Sequence, residues 1–66
     1  MIETLSQNET KALQLVAQGK TRKEIGQEMG YSESRVHHFV FNAFHKLDAR
    51  NAYHAVYIAT KLGRIR

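Results

Sequence analysis

The chain has 66 residues, with no cysteine and no proline, and 42% of the residues are apolar. This length allows one small domain, and the composition excludes a disulfide framework, a thiolate metal site and a disordered chain. Ten Lys and Arg against six Asp and Glu give a net charge of +4. No apolar run is long enough to span a membrane and the N-terminus does not have the layout of a signal peptide, so we expect a cytoplasmic protein.

The positive charge is concentrated in the second half of the chain. Residues 1–34 carry four basic and five acidic side chains, whereas residues 35–66 carry six basic side chains and one acidic side chain. A basic half favours binding to nucleic acid, because a polyanion releases counterions when cations bind it. An ordinary solvated surface would give the same composition, so charge alone leaves both readings open.

The first helix is predicted over about 7–18. Ser6 and Glu9 have the spacing of a capping box, in which each side chain accepts a hydrogen bond from the other residue's backbone N–H. Gly19 provides a left-handed stop. The side chains predicted to face inward are Leu13, Val16 and Ala17.

A second capping box, Thr21 and Glu24, predicts a short helix over about 22–29 that ends at Gly30. Ser32 is predicted to cap a third helix over about 33–47. The inward residues of the second helix are predicted to be Ile25 and Met29. Those of the third, at a helical spacing, are Val36, Phe39, Val40, Ala43, Phe44 and Leu47.

A turn beginning at Asp48 leads to a fourth helix, predicted over about 52–62, with Asn51 as its N-cap and Gly63 at its end. Its inward residues are predicted to be Ala52, Ala55, Val56, Ala59 and Leu62. No sustained period-two alternation predicts a strand. The sequence therefore predicts an all-α fold of four helices, with residues 1–66 forming a single helix-turn-helix domain.

The middle pair of helices has the layout of a helix-turn-helix: a short helix, a short turn with glycine and a longer helix. In DNA-binding domains this arrangement holds the second helix so that it enters the major groove. Any helical bundle contains pairs of this kind, so spacing alone does not decide between DNA binding and ordinary packing.

The residues at these positions resemble the LuxR-type DNA-binding domain, from Leu5 to Ile65 without insertions. The pattern consists of Leu5-Ser6-x-x-Glu9, Leu13, Ala17-x-Gly19-x-Thr21-x-Lys23-Glu24-Ile25, Met29-x-x-Ser32-x-x-x-Val36, Lys46-Leu47, Asn51 and Ala55-Val56-x-x-Ala59-x-x-x-Gly63-x-Ile65. The resemblance implies a sequence-specific transcription regulator that binds an inverted repeat in double-stranded DNA as a homodimer. Since nothing precedes the helix-turn-helix, we expect a stand-alone regulator or an excised domain.

The chain departs from the family pattern at several positions. Arg35-Val36-His37-His38-Phe39 stands where the family usually has Thr-Val-Lys-x-His, and Ala43 replaces its common Ile. Asp48 replaces a Gly, and Gly26 replaces an Ala. Gly26 is expected to admit the ring of Phe39 or Phe44 close to the backbone.

DNA contacts are expected at two groups of residues; the resemblance implies base contacts at His37, His38 and Phe41, and position on the helices indicates the others. Base contacts are predicted for Ser34, His37, His38 and Phe41, on the face of the third helix opposite its inward stripe. Phosphate contacts, which fix register rather than read sequence, are predicted for Thr21, Arg22, Lys23, Arg35 and Lys46. Asn51 is predicted to cap the fourth helix rather than to touch DNA. Phe41 has an alternative reading, as a residue half-buried at a protein contact.

Tyr53 and Tyr57 lie one turn apart on the fourth helix, and Lys61 continues the row. Exposed aromatic residues mark contact surfaces, and LuxR-type domains tend to dimerise through this helix, so we predict a dimer interface here. The alternative is that these rings rest against the first helix.

The sequence predicts no metal site, cofactor or enzymatic activity. The four histidines include no i, i+4 pair, and no nucleophile motif is present. The alternative function is a protein-interaction module of the same fold that binds another transcription regulator or RNA polymerase. Lysine is frequent in the family at the positions of His37 and Phe41. Its absence here, together with the exposed Phe41, favours that alternative.

Overall fold

The computed structural model describes residues 5–63, which form four helices and no strand. These are α1 (Gln7–Ala17), α2 (Arg22–Met29), α3 (Glu33–Leu47) and α4 (Ala52–Lys61). Every predicted helix is confirmed, and each boundary agrees to within one residue. Ile65, the last position of the family pattern, lies outside the described residues. No helix within residues 5–63 is long and apolar enough to cross a membrane.

The helix starts are fixed by the predicted caps. Both capping boxes form: the Ser6 hydroxyl accepts from the Glu9 N–H at 3.1 Å, and the Thr21 hydroxyl accepts from the Glu24 N–H at 3.1 Å. Asn51 caps α4, its side-chain oxygen accepting from the His54 N–H at 2.9 Å. These bonds satisfy backbone donors that have no partner inside a helix, which is why the start signals in the sequence were reliable.

The core consists of two clusters of buried apolar residues. The larger joins α1, α3 and α4 and contains Leu5, Leu13, Ala43, Leu47, Ala55 and Ala59. The smaller joins α1, α2 and α3 and contains Leu15, Ile25 and Val36. Because α3 contributes to both clusters, it is the element around which the other three helices pack. Three members of the larger cluster, Ala43, Ala55 and Ala59, have small side chains that are fully buried.

Two predicted core positions are wrong. Ala17 is exposed, because the chain leaves the helix at the next residue, Gln18, and turns away from the core. Leu62 is 46% exposed, because α4 ends at Lys61 and Leu62 lies beyond its last turn. At the C-terminal ends of α1 and α4, the apolar pattern in the sequence therefore extends one residue beyond the part of the helix that packs against the core.

The expected role of Gly26 is also wrong. A Cβ atom there would lie 2.5 Å from the backbone carbonyl oxygen of Tyr31, and neither Phe39 nor Phe44 is among its nearest neighbours. Glycine therefore lets the turn after α2 fold back onto the helix itself. The N–H groups of Gly30 and Tyr31 both donate to the carbonyl of Gly26, at 2.8 and 2.9 Å.

Asp48 ends α3 in a left-handed conformation, with φ of 54°. Glycine is favoured there because a Cβ atom is strained at positive φ. Asp48 is the only non-glycine residue with positive φ within residues 5–63. Asp48, which replaces the family's glycine, thus keeps the left-handed conformation despite the strain from its Cβ atom.

Candidate nucleic-acid interface

The α2–α3 pair is held in a fixed arrangement by the turn that joins it. Only Gly30, Tyr31 and Ser32 lie between the two helices, and Gly30 adopts φ of +80° as the C-cap of α2. The Tyr31 ring packs edge-on against Phe39 with 5.0 Å between centroids. Backbone hydrogen bonds and a buried ring therefore set the direction in which α3 leaves the turn.

The four residues predicted to contact bases lie together on α3. Ser34, His37, His38 and Phe41 are all exposed, and Phe41 retains 43% of its surface. At 100° per residue they occupy one side of the helix, opposite the buried Val36 and Ala43. The structure thus presents a continuous surface that the fold itself does not use.

Sequence reasoning missed one member of this surface, His45. The Phe41 ring stacks on His37 at 6.0 Å and an interplanar angle of 16°, and it packs edge-on against His45 at 4.6 Å. The signal was available, because His45 follows Phe41 at i+4 and residues four apart meet on a helix. We call Ser34, His37, His38, Phe41 and His45 the outer face of α3. It contains no lysine or arginine.

The fixed positive charges lie instead beside this face, in the first turns of α2 and α3. Arg22 and Lys23 are exposed in the first turn of α2, as is Arg35 in the first turn of α3, where its guanidinium carbon lies 5.4 Å from the centre of the Phe39 ring. Cations at these positions can contact a polyanion without occupying the outer face of α3.

Thr21 is already engaged within the protein. Its N–H donates to the Glu24 carboxylate at 2.8 Å, and its hydroxyl accepts from the backbone of Glu24. The N–H and then the hydroxyl of Thr21 hold the pKa of the Glu24 carboxyl below its ordinary value. A negative charge therefore stands at the start of α2, and Arg22 and Lys23 are better placed than Thr21 to receive a phosphate.

Lys46 has a different environment from the other predicted phosphate ligands. Its ammonium donates to the Glu9 carboxylate at 2.8 Å, and the Glu9 side chain is only 7% exposed. Burial raises the pKa of Glu9, but the hydrogen bonds from Lys46 and from the Ser6 backbone outweigh it, so the pKa is lowered overall. Lys46 therefore ties α3 to the start of α1, a role that its local sequence does not signal.

The predicted dimer residues lie on the outer side of α4. Tyr53 is 86% exposed and Tyr57 is 60% exposed, so neither ring rests buried against α1. The ammonium of Lys61 lies 5.8 Å from the centre of the Tyr57 ring. Within residues 5–63, no three His, Cys, Asp or Glu side chains come together in a way that could hold a metal ion. His54 has a structural role, since its Nδ1 accepts from the backbone N–H of Arg50 at 3.0 Å.

Comparison with known proteins decides what this arrangement belongs to. The family model for bacterial regulatory proteins of the luxR family matches residues 3–59. The chain belongs to this family. Its four helices are the helix-turn-helix DNA-binding domain of a luxR-family transcription regulator, which confirms both the fold and the resemblance found in the sequence.

One curated relative of this luxR-family domain supports the family assignment, and one solved structure supports the fold. The transcriptional activator protein CarR of Pectobacterium carotovorum subsp. carotovorum is 41% identical over 58 residues, which are 88% of this chain and 24% of CarR. The chain thus spans about a quarter of the length of that curated relative. The solved structure of the transcription factor GerE matches with a TM-score of 0.90 over 97% of both chains. At 23% sequence identity, that likeness establishes the shared fold.

Proposed function

We propose that the chain is a sequence-specific transcription regulator that inserts α3 into the DNA major groove. The observation that carries this proposal is the outer face of α3, where the predicted base-contacting side chains are exposed together on a helix fixed to α2. An α-helix fits the major groove, where each base pair shows a distinct set of donors and acceptors. Because its proposed partner is DNA, we propose that the protein acts in the cytoplasm. In this proposal it has no enzymatic activity and needs no cofactor.

The two predicted groups of contacts have separate roles in this proposal. Ser34 and the imidazoles of His37 and His38 hydrogen-bond to base edges, and the Phe41 ring meets a thymine methyl group. Arg22, Lys23 and Arg35 contact phosphates. Thr21 also contacts a phosphate, which must approach the N-terminus of α2 beside the Glu24 carboxylate that already accepts from the Thr21 N–H. We assign Lys46 to the Glu9 ion pair and not to phosphate.

Selection of bound sequences from a random duplex pool at physiological salt tests this function. We expect one enriched motif, because base readout costs about 1–3 kcal/mol for each wrong contact. The control is Ser34→Ala with His37→Ala and His38→Ala, which should retain binding but lose the motif, since phosphate contacts give sequence-independent affinity. Recovery of no motif by the wild-type chain would contradict sequence-specific binding.

We further propose that the chain acts as a homodimer on an inverted repeat. One module of this size buries little surface on DNA, so two copies on half-sites one helical turn apart would reach specific affinity. Tyr53, Tyr57 and Lys61 supply an exposed row on α4. In a two-fold dimer the same patch serves both subunits.

The variant Tyr53→Glu/Tyr57→Glu should stay helical but lose dimerisation and cooperative binding to a duplex with two half-sites. Sedimentation with and without DNA measures both. A matched control, Gln7→Glu/Gln18→Glu, adds the same charge at two exposed positions, one in the first turn of α1 and one at its C-cap, and should behave as wild type. Dimerisation that survives in the α4 variant would place the interface elsewhere.

A second candidate function rests on the composition of the outer face of α3. That face has no fixed positive charge and exposes a phenyl ring, features that also suit a protein partner. In this alternative the fold is kept and the chain binds another transcription regulator or RNA polymerase. The same pool selection separates the two functions, because an interaction module would enrich no motif.

A further inference from the structure

A cleft of about 400 Å³ lies beside the outer face of α3 and is open to solvent on one side. Its walls come from the end of α1 and the turn that follows it, from α2 and α3, and from the α3–α4 turn with the first residue of α4. The floor is apolar and includes Val16, Ile25, Val40, Phe41 and Phe44. The cleft therefore exposes more apolar surface than contact with a phosphate backbone requires.

The rim of the cleft is positively charged. Lys20, Arg22 and Arg50 line it, and none of its eleven lining residues is acidic. Lys20 is only loosely paired, with Glu28 at 3.6 Å and both side chains partly exposed. An occupant that complements this site must combine negative charge with apolar groups.

The cleft continues along α3 into a second hollow. The two share Phe41, Phe44 and Arg50, and the second reaches Asp48. The distance from His37 to Asp48 along the helix is about 17 Å at a rise of 1.5 Å per residue, close to the length of an eleven-residue helix. A small molecule would stay largely exposed in so open a groove, whereas ligand sites cover most of their ligand.

We propose that this cleft binds an acidic amphipathic helix of a protein partner, with its apolar side chains on the floor and its carboxylates on the rim. The proposal gives the protein-interaction alternative a site and a partner chemistry. His37 and Phe41 belong both to the cleft and to the outer face of α3, so the bound helix covers part of the surface proposed for DNA. Only this competition rests on the proposed DNA-binding function; binding of the helix does not.

A labelled synthetic peptide tests the site directly. We would use a peptide of about eleven residues, the length that spans about 17 Å at the helical rise, with Leu and Phe on one helical face and Glu elsewhere. Fluorescence anisotropy would compare it with a scrambled peptide of equal composition. The ordered peptide should bind the 66-residue chain about tenfold more tightly and weaken with salt. Equal binding of both peptides would reduce the effect to general attraction between opposite charges and overturn the proposal.

Matched variants locate the binding surface. Phe41→Ala should weaken peptide binding about tenfold, while Leu62→Ala, which shortens an exposed apolar side chain just after α4 and outside the cleft, should leave it unchanged. Arg50→Glu should also weaken binding about tenfold, and Lys11→Glu, the same charge change on α1 away from the cleft, should have little effect. Equal losses in each pair would overturn the placement in the cleft.

Displacement of a labelled duplex separates this proposal from the DNA-binding function. If the peptide binds and displaces the duplex, both stand. If it binds a chain that does not bind DNA, the site stands and the DNA-binding function fails. If the duplex binds and the peptide does not, the rim serves phosphates only and the proposal is overturned.

Discussion

The two sides of α3 have opposite properties although they belong to one helix. The inner side contributes Val36, Ala43 and Leu47 to the core, all nearly inaccessible. The outer face carries exposed imidazoles and the phenyl ring of Phe41, which packs against His37 and His45. Buried apolar area stabilises the fold, so selection for folding fixes the inner side and leaves the outer face free to specify a partner.

The largest expected effect comes from making the same substitution on both sides. Phe39→Ala should lower the free energy of unfolding by about 3 kcal/mol, because it removes a buried ring that packs against Tyr31. Phe41→Ala should lower it by less than about 1 kcal/mol while changing DNA preference. Urea unfolding measures both values. Similar losses of stability would show that the ring of Phe41 supports the fold as much as the ring of Phe39 does.

The ion pair between α1 and α3 has the next largest effect. Lys46→Met keeps the apolar stem but leaves the buried Glu9 carboxylate without its cation. We expect a loss of about 2 kcal/mol, less than for a fully buried pair because Lys46 is 27% exposed. Adding Glu9→Gln should recover part of it. If Lys46→Met instead leaves stability unchanged and reduces the salt dependence of DNA binding, Lys46 is a phosphate ligand.

Acid should weaken the same contact. Because the pKa of Glu9 is lowered from its ordinary value of 4.5 in the folded chain, its ionised form stabilises the fold at neutral pH. That contribution is present above pH 4.5 and is lost as the pH falls through the lowered value. Chemical unfolding between pH 6 and 3 should show a smaller decline for Glu9→Gln than for wild type. An equal decline would assign the acid sensitivity to other carboxyls, such as Glu24.

The outer face and the neighbouring cations should affect DNA binding differently. Lys23→Ala should weaken binding to all sequences and reduce the salt slope by about 0.9, as expected for one lost phosphate contact. His37→Ala should cost about 1–3 kcal/mol at one base position and leave the slope unchanged. Binding titrations at several salt concentrations, repeated with substituted duplexes, distinguish the two. Identical base preference in the His37 variant would remove its proposed role.

The smallest effect concerns the end of α3. Asp48→Gly should raise the free energy of unfolding by about 0.5–1 kcal/mol, because glycine relieves the strain of positive φ and removes a negative charge from the helix C-terminus. Asp48→Ala removes the charge but keeps the Cβ atom at positive φ, so it should stabilise less than Asp48→Gly. Thermal unfolding compares the two. Equal stabilisation by both variants would attribute the whole effect to the charge.

The sequence predicted what depends on neighbouring residues. Both capping boxes, the Asn51 cap and the exposed stripe of α3 follow from spacings of three or four residues, and all were found. The Glu9–Lys46 pair joins residues 37 positions apart, and the cleft draws residues from all four helices, so no local pattern reveals either. The role of Gly26 depends on the path of the following turn, which periodicity does not describe.

The most direct test of the central claim is amide chemical-shift mapping of the chain with a generic duplex at low salt, where phosphate contacts alone give measurable binding. We predict that the perturbed amides lie in the first turn of α2 and in α3, at Arg22, Lys23, His37, His38 and Phe41. The chemical shifts of the α1 amides around Lys11 should not change. Perturbations confined to α1 and α4, with α3 unchanged, would contradict the claim that the outer face of α3 is the DNA-binding surface.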